Sequence, residues 1–281
     1  MEELRGMPVV KALLADFKEE VAALKKQNVI PTLAVVRVGA KEDDLAYERG
    51  ILKRFADAEA QVRVIELKQD VTQNELESRI LELNQDQLVH GILLFRPLPK
   101  HLSEDRIKQL IAPDKDVDCM CDSNLAHVFA GDGKGYPPCT PQAVIEMIDH
   151  YGIDLTGKKV TVVGRSMVVG RPLAMLLLAK NATVTICHTK TASLEEECRN
   201  ADIIVACAGS AGMIKKEFVK DGQIIFDVGI NVVDGKLCGD VDYDGISANA
   251  KAATPVPGGV GTVTTSVLLK HTIISAMTKE A

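Results

Sequence analysis

The sequence predicts a protein of two α/β domains, with an α/β domain in the first half and a doubly wound parallel sheet in the second. Short β-branched runs alternate with helical segments over most of the 281 residues, which is typical of βαβ units with right-handed crossovers. Glycine and proline are dense in residues 131–138, and the alternation starts again from residue 158. With 46% hydrophobic residues, the chain can fill two modest cores.

Hydrophobic periodicity places the elements of the first half. Apolar side chains spaced three and four residues apart indicate helices, and β-branched runs indicate strands. Thr72 followed by Glu75 is a capping box, a pattern that opens a helix. In chain order the predicted elements are helix 10–24, strand 32–38, helix 43–59, strand 62–67, a helix from Thr72, and strand 90–95.

The second half repeats the pattern after a helix that Thr140 and Pro141 open. Threonine suits the N-cap, and proline suits the first helical position. In chain order the later predicted elements are strand 159–163, turn 164–170, a helix to residue 180, strand 183–187, a helix, strands 203–207 and 223–228, and helix 264–277.

Composition argues against several classes of function. A net charge of -6 offers no basic field that could hold a phosphate backbone, so nucleic acid is not expected as a partner. The first five residues, MEELR, lack the cationic and apolar segments of a secretory signal. The longest apolar run, 173–179, is far shorter than the roughly 20 residues that a membrane helix needs. We therefore expect a cytoplasmic protein with no membrane partner.

The seven cysteines suggest free thiols rather than a disulfide framework. Their number is odd, and they form no compact cluster along the chain. Cys119 and Cys121 have CxC spacing instead of the CxxC of common zinc sites, and no matching His or Cys pair follows them. We therefore expect no metal site.

A glycine-containing turn between a predicted strand and a predicted helix is a candidate dinucleotide site. Gly164 and Gly170 bracket the turn, which also contains Arg165 and Ser166. In a Rossmann-type unit, backbone N–H groups of such a turn and the following helix N-terminus face a pyrophosphate. The turn departs from GxGxxG, because Ser166 replaces the second glycine and the gap to Gly170 is longer. A plain strand–turn–helix connection is the alternative, but the flanking elements favour a dinucleotide.

The end of the second strand of this unit indicates which dinucleotide is bound. An acidic residue there usually binds the ribose 2′-hydroxyl of NAD. Residues 188–191 read His-Thr-Lys-Thr, and no carboxylate follows before Glu195. Thr189, Lys190 and Arg165 suit a 2′-phosphate better, since a guanidinium forms charge-assisted hydrogen bonds with it. The predicted cofactor is NADP, with NAD as the alternative, and solvated surface charge is the other interpretation of both cations.

Several segments together resemble the methylenetetrahydrofolate dehydrogenase/cyclohydrolase family. They occur in that family's order and spacing over nearly the whole chain, which makes the combination specific although each piece is short. The segments are Arg96-Pro97-Leu98-Pro99, Pro113 to Asp118, Pro138-Cys139-Thr140-Pro141, Gly164 to Pro172, Asp227 to Asn231, and Thr254 to Gly261.

The resemblance implies a particular domain arrangement. A folate-binding catalytic domain would occupy residues 1–138 and be completed by the C-terminal helix 264–281, and an NAD(P)-binding Rossmann domain would occupy 139–263. The folate would bind in a cleft between the domains, and two copies would form a homodimer through their Rossmann domains.

The resemblance also assigns candidate site residues. In the family a tyrosine, a lysine one helical turn later, a glutamine before the Pro-Leu-Pro turn and the second aspartate of an Asp-Val-Asp segment surround the pterin. Tyr47 and Asp118 match the tyrosine and the aspartate, whereas Ile51 stands at the lysine position and Phe95 at the glutamine position. The resemblance assigns further residues to two ligands: Pro257, Gly258 and Gly259 to folate, and Gly164, Arg165, Ser166, Gly170, Thr189 and Ile230 to the cofactor.

Some of these residues have a plain structural interpretation. Tyr47 suits a half-buried helix face, and Asp118 suits the cap of a turn near Ser123. Lys53 does not replace the missing lysine, since it points roughly 200° away from Ile51 around a helix. Arg54 lies on the face of Tyr47, but its permanent charge makes it a poor proton shuttle.

Cys119 and Thr262 also depart from the family, which has a glycine and a proline at these positions. The expected function is oxidation of 5,10-methylenetetrahydrofolate to the methenyl form with hydride transfer to NADP. Loss of the proton-handling pair predicts weak or absent cyclohydrolase activity. The alternatives are a fully bifunctional enzyme and a non-catalytic regulatory relative.

Overall fold

The computed structural model describes residues 1–278, which divide into two compact units. One unit contains Met1–Lys11 and Thr140–Thr264 and is called the six-stranded unit after its sheet. The other contains Ala12–Cys139 and the helical residues from Thr265 onward, and is called the three-stranded unit. The last three residues of the predicted helix 264–281 lie outside the described part of the chain.

The strands of the described chain are β1 (Glu2–Glu3), β2 (Thr32–Val38), β3 (Gln61–Leu67), β4 (Gly91–Leu94), β5 (Lys159–Val163), β6 (Thr183–Cys187), β7 (Ile203–Ala206), β8 (Ile224–Asp227), β9 (Asn231–Val233), β10 (Lys236–Cys238) and β11 (Ala252–Ala253). The helices are α1 (Gly6–Lys26), α2 (Glu42–Asp57), α3 (Gln73–Gln85), α4 (Glu104–Lys108), α5 (Asp122–Ala130), α6 (Cys139–His150), α7 (Gly170–Ala179), α8 (Leu194–Asn200), α9 (Tyr243–Ile246) and α10 (Val260–Thr278). A short 3₁₀ segment covers Lys216–Phe218.

The three-stranded unit is a parallel sheet in the order β3-β2-β4. All seven residues of β2 are buried, including Thr32 and Arg37, as befits a central strand of a parallel sheet. The predicted capping box opens α3: the Glu75 N–H donates to Thr72 Oγ1 at 3.3 Å, and the Thr72 N–H donates to Glu75 Oε2 at 2.8 Å. Apolar side chains of α3 then pack against β2 and β4, which fixes this helix on the sheet.

The six-stranded unit is a parallel sheet in the order β1-β11-β8-β7-β5-β6. The chain leaves β5 toward β6 on one side and returns to β7 on the other side. The strand order therefore reverses at β5, and the loops after β5 and β7 diverge at the carboxyl edge of the sheet. Such a switch point is where doubly wound sheets bind ligands.

The two-domain α/β class is confirmed, but the first eleven residues differ from the predicted boundary. The sequence prediction placed residues 1–138 in one domain, whereas Met1–Lys11 cluster with the six-stranded unit. The reason is β1, which pairs in parallel with β11 at the sheet edge. The Leu4 N–H donates to the Ala253 carbonyl at 2.9 Å, which extends this pairing. A strand of two exposed residues leaves no hydrophobic signal in the sequence.

Periodicity also missed the short elements α4, α5, α9 and the β9–β10 hairpin. The hairpin turn is formed by Asp234 and Gly235, both at positive φ, which is the Asp-Gly pattern of a type I′ turn. Within residues 1–278, no helix is both long and apolar enough to cross a membrane.

Candidate functional site

The turn after β5 is a close approach of backbone segments that only glycine permits. Gly164 has φ +136°, and a Cβ there would overlap the carbonyl oxygen of Cys207, in the loop after β7. A Cβ at Gly170 would overlap the Gly164 carbonyl oxygen. These are the roles of the first and third glycines of a dinucleotide turn, namely the tight turn and close strand–helix packing. The turn therefore fits a dinucleotide despite its departure from GxGxxG.

The other residues of this turn leave its outer face open. Ser166 Oγ accepts the Val169 N–H at 3.1 Å and so shapes the turn before α7. The Gly164 N–H donates to the Cys187 carbonyl at 2.9 Å, so the loops after β5 and β6 start side by side. Arg165 on the first loop and Thr189 on the second are both exposed. A cationic group and a hydroxyl thus flank the strand end where a ribose 2′-group is read in this fold.

A second feature of the same sheet edge is a cavity of about 220 Å³ beyond β8 and β11. Its lining includes Ile230, Pro257, Gly258 and Gly259. A Cβ at Gly259 would lie 2.5 Å from the Pro255 carbonyl oxygen, so this loop folds tightly on itself. Ile230 is 66% exposed, an unusual state for isoleucine. The structure thus brings together the predicted residues of this loop and Ile230 in one apolar recess.

Two buried carboxylates lie next to these loops. Asp227 at the end of β8 and Asp240 after β10 are 3% and 0% exposed. Burial, together with the negative charge of Asp240, raises the pKa of Asp227 to about 6. The sequence places Asp227 in a segment that resembles the family, but it carries no signal that pairs Asp227 with Asp240, because a hairpin separates the two in the chain.

In the three-stranded unit, Tyr47 and Phe95 form an aromatic pair. Their ring centroids lie 5.6 Å apart with a tilt of 32°. Tyr47 is 37% exposed, and Phe95 is 7% exposed. Burial of the hydroxyl and the charge of Asp118 raise the pKa of Tyr47 well above its ordinary value. The phenol therefore stays neutral near pH 7, and Asp118 is close enough to act on it.

Asp118 is held at the start of α6. Its Oδ1 accepts the backbone N–H of Cys139 at 3.0 Å. Burial raises the pKa of Asp118, and the hydrogen bond from Cys139 and the charge of Arg96 oppose that rise. A partly exposed carboxylate beside a neutral phenol and an aromatic face is suited to a flat, hydrogen-bonding heterocycle.

Asp118 does not cap the turn near Ser123, because Asp116 does so. The Asp116 carboxylate accepts the N–H groups of Met120 and Cys121, each at 2.8 Å. Cys119 lies between Asp116 and Met120 and has φ +58°. This left-handed conformation is unfavourable for a residue with a side chain. Glycine would adopt this conformation without strain, and Cys119 adopts it with a side chain.

Ile51 is fully buried on α2, one helical turn after Tyr47. Lys53 is exposed, in agreement with its predicted direction. Arg54 is mostly buried: its Nε lies 3.5 Å from Thr265 Oγ1 and its Nη1 lies 3.8 Å from Asp57 Oδ2. Burial lowers the pKa of Arg54, although a guanidinium remains protonated near pH 7.

All seven cysteines are free thiols. Burial raises the pKa of Cys119 and Cys121, that of Cys121 to about 12, so neither is a thiolate near neutral pH. Among residues 1–278, no group of three or more His, Cys, Asp or Glu side chains is arranged to hold a metal ion.

Comparison with known proteins identifies the family. The tetrahydrofolate dehydrogenase/cyclohydrolase catalytic domain matches residues 4–118, and the NAD(P)-binding domain of that family matches residues 138–280. A curated relative, the bifunctional protein FolD of Clostridioides difficile, is 51% identical over 271 residues, covering 96% of this chain and 94% of the relative.

Solved structures give the same result. The bifunctional enzyme FolD of Campylobacter jejuni superposes with a TM-score of 0.97 at 38% identity and 99% coverage of both chains. The Trypanosoma brucei FolD, in complex with NADP and an inhibitor, has a TM-score of 0.92 at 34% identity, covering 98% of this chain and 97% of that one. The chain therefore belongs to the tetrahydrofolate dehydrogenase/cyclohydrolase family of NAD(P)-dependent enzymes.

Proposed function

We propose that this enzyme oxidises 5,10-methylenetetrahydrofolate to 5,10-methenyltetrahydrofolate with NADP and has little or no cyclohydrolase activity. One observation carries the proposal. The residues suited to holding a pterin, Tyr47 and Asp118, lie close together, while the two positions that would handle protons are the buried apolar side chains Ile51 and Phe95.

Asp118 is the proposed anchor of the pterin. Its carboxylate accepts hydrogen bonds from the pterin amino and ring N–H groups through the oxygen that does not bind Cys139. Tyr47 offers a ring face for stacking, and its neutral hydroxyl adds no charge next to the cationic product.

The oxidation breaks one C–H bond of the carbon between N5 and N10. A nitrogen lone pair forms the new C=N bond as the hydride leaves, so the product cation is shared by the two nitrogens. When bound, NADP would accept this hydride and would be held by the turn from Gly164 to Gly170, while the loop that contains Pro257, Gly258 and Gly259 would approach the folate. The protein's task is alignment rather than proton transfer, because the substrate's own nitrogen drives the step.

The hydrolysis that follows in bifunctional enzymes makes a different demand. Water must add to the methenyl carbon, and protons must move before the ring opens. Neither Ile51 nor Phe95 can donate or accept a proton, and Phe95 packs on the Tyr47 ring with almost no exposed surface. The methenyl product should therefore leave without being hydrolysed.

Full bifunctionality is the second candidate, since relatives of about half-identical sequence are named bifunctional proteins. In that case Arg54 would be the candidate to replace the family's lysine, because it is mostly buried and lies three residues from Ile51. Asp57 and Thr265 already engage it, and its guanidinium is a poor proton shuttle.

A single assay tests the proposal. Purified enzyme is given methylenetetrahydrofolate with NADP or with NAD, and the methenyl and formyl products are followed separately. Reduction of NADP with accumulation of methenyl product is expected. Rapid formation of formyltetrahydrofolate would instead support full bifunctionality, and absence of reduction with either cofactor would favour a non-catalytic relative.

Arg165→Ala is expected to weaken the use of NADP more than that of NAD. Only NADP carries the 2′-phosphate, and loss of a charge-assisted hydrogen bond costs about 1.5–3 kcal/mol, or roughly 10- to 150-fold. The measurement is kcat/KM with each cofactor. Lys11→Ala, an exposed cation on α1, is the matched control and should change neither value. Equal losses with both cofactors would mean that Arg165 does not read the phosphate.

We also infer that the enzyme is a cytoplasmic homodimer without nucleic-acid or membrane partners. Within residues 1–278, β6 pairs with β5 on one side and ends the sheet on the other. Ile186 on this strand and Leu178 on α7 are exposed, at 37% and 56%. An open strand edge beside apolar side chains is a common surface for self-association. Sedimentation velocity should give twice the mass of the chain.

A further inference from the structure

The carboxylate of Asp240 receives an unusual set of donors. The backbone N–H groups of Ala208, Gly209 and Ser210, consecutive residues after β7, donate to it at 2.6, 2.9 and 2.7 Å. The side-chain amide of Asn231, at the start of β9, adds a fourth hydrogen bond at 2.9 Å. Consecutive N–H groups that converge on one point form an anion-binding nest. In this protein the anion is part of the chain.

Asp227 connects this nest to the neighbouring loop. Its carboxylate accepts the Asp240 N–H at 2.9 Å, the Val241 N–H at 3.0 Å and the Gly229 N–H at 3.1 Å. The packing around the two acids leaves no room for side chains: a Cβ at Gly229 would overlap the Asp240 carboxylate, and a Cβ at Gly239 would overlap that of Asp227. The two carboxylates thus tie together the loops after β7, β8 and β10.

These loops are the ones that adjoin the proposed cofactor site. The Cys207 carbonyl, one residue before the nest, packs against Gly164 in the dinucleotide turn. Asp227, Val228, Gly229 and Ile230 line the cavity of about 220 Å³. Since Asp240 uses all three N–H groups of the nest, the loop after β7 cannot offer them to a phosphate. The pyrophosphate is left to the turn from Gly164 to Gly170.

We propose that Asp240 is a positioning residue for the nicotinamide cofactor, holding the loops after β7 and β8 in the geometry that accepts it. The proposal rests on the cofactor site proposed above. Asp240 would not touch the cofactor itself, because its carboxylate is fully buried and its oxygens are occupied by donors from the protein.

The ionised groups around Asp240 are consistent with a structural anion. Its titratable neighbours are Asp227 and the thiol of Cys207. Burial and the charge of Asp240 raise the pKa of Cys207 to about 12, so the thiol stays neutral. Backbone and amide N–H donors hold the Asp240 carboxylate.

Asp240→Asn is the direct test, since it keeps the shape and turns one acceptor oxygen into a donor that faces a backbone N–H. The dissociation constant for NADPH, measured by fluorescence titration, should rise at least about 10-fold, in line with loss of a hydrogen bond to a charged group. The KM for NADP should rise similarly, while the KM for methylenetetrahydrofolate stays within about threefold.

Asp242→Asn is the matched control, two residues along the chain. Asp242 caps α9 through the Gly245 N–H at 3.2 Å, a role that asparagine also fills. The Asp242→Asn variant should bind NADPH with the same dissociation constant as the unmodified enzyme. A folded Asp240→Asn variant with NADPH affinity within twofold of the original would overturn the proposal, as would an equal rise in the folate KM.

A second variant decides the question if Asp240→Asn does not fold. Asn231→Ala removes one of the four donors and leaves the acid in place, so a rise of about threefold in the NADPH dissociation constant is expected. No change would refute the role of Asp240. Failure of the unmodified enzyme to bind NADPH or NADH would instead contradict the proposed cofactor use, which keeps the two proposals separable.

Discussion

Changing Ile51 to Lys together with Phe95 to Gln should raise the rate of methenyltetrahydrofolate hydrolysis by roughly 10²- to 10⁴-fold, the usual contribution of a positioned acid–base group. The two changes restore the polar pair that the family resemblance assigns to these positions. The measurement is the loss of methenyl absorbance corrected for the spontaneous reaction. Dehydrogenase activity should change much less, because hydride transfer depends on alignment.

Both changes are needed because of how the two side chains are buried. Ile51 is 0% exposed, so a lysine there without a hydrogen-bond partner would have a lowered pKa and a large desolvation cost. Phe95→Gln supplies a partner, but on its own it removes the ring that packs on Tyr47 and provides no proton shuttle. Each single variant should therefore remain near background.

Leu52→Lys, with or without Phe95→Gln, is the matched control. Leu52 is 39% exposed on the same helix, so the added charge is solvated and lies on a different face. It should give no gain. A double variant that folds but hydrolyses no faster than the unmodified enzyme would show that a polar pair at these positions does not limit this step. If the unmodified enzyme already hydrolyses methenyltetrahydrofolate far above the spontaneous rate, Arg54→Ala is the next variant to measure.

Asp118→Asn should raise the KM for methylenetetrahydrofolate by roughly 10- to 100-fold. The carboxylate can accept hydrogen bonds from the Cys139 N–H and from the pterin N–H groups, whereas an amide would point an N–H at one pterin donor. A hydrogen bond to a charged group contributes about 1.5–3 kcal/mol. The Cys139 N–H can still donate to the remaining oxygen, so the fold should be retained. The KM for NADP should change little.

The pH profile gives an independent readout for Asp118. The pKa of Asp118 lies above the ordinary aspartate value. As the pH is lowered, kcat/KM for folate in the unmodified enzyme should therefore begin to fall at a higher pH than an ordinary aspartate would give. The Asn variant should lose that acid limb. Asp122→Asn is the control, because this exposed carboxylate pairs only with Lys108 in the described chain. Folate kinetics identical in Asp118→Asn and the original enzyme would reject the anchoring role.

Long, periodic elements of the fold were predictable, and short or exposed ones were not. The strand from Thr32 to Val38 and the helix that Thr72 opens carry their signals within a few residues, since burial and capping are local demands. β1 has no such signal, because its two exposed residues pair with the distant strand β11.

The candidate site shows the same division. Gly164 and Gly170 were predicted from the turn alone, because the strand–turn–helix pattern that calls for glycine is local in the sequence, although Gly164 packs against the distant Cys207. That Asp116 rather than Asp118 caps the turn was not predictable, since both precede the same turn and only the fold decides which carboxylate faces its N–H groups. Asp240 was missed because its donors come from a loop some thirty residues earlier.

The internal anion of the nest has a consequence for the kinetics of cofactor capture. A loop that becomes ordered only when a ligand phosphate binds has several conformations in the free protein. The apparent affinity for the ligand is then reduced by the fraction of molecules in the binding-competent conformation. The loop after β7 already has its anion in Asp240 before any coenzyme arrives. Association should therefore follow a single exponential that rises linearly with NADPH concentration, without the saturating phase that a slow loop rearrangement would introduce.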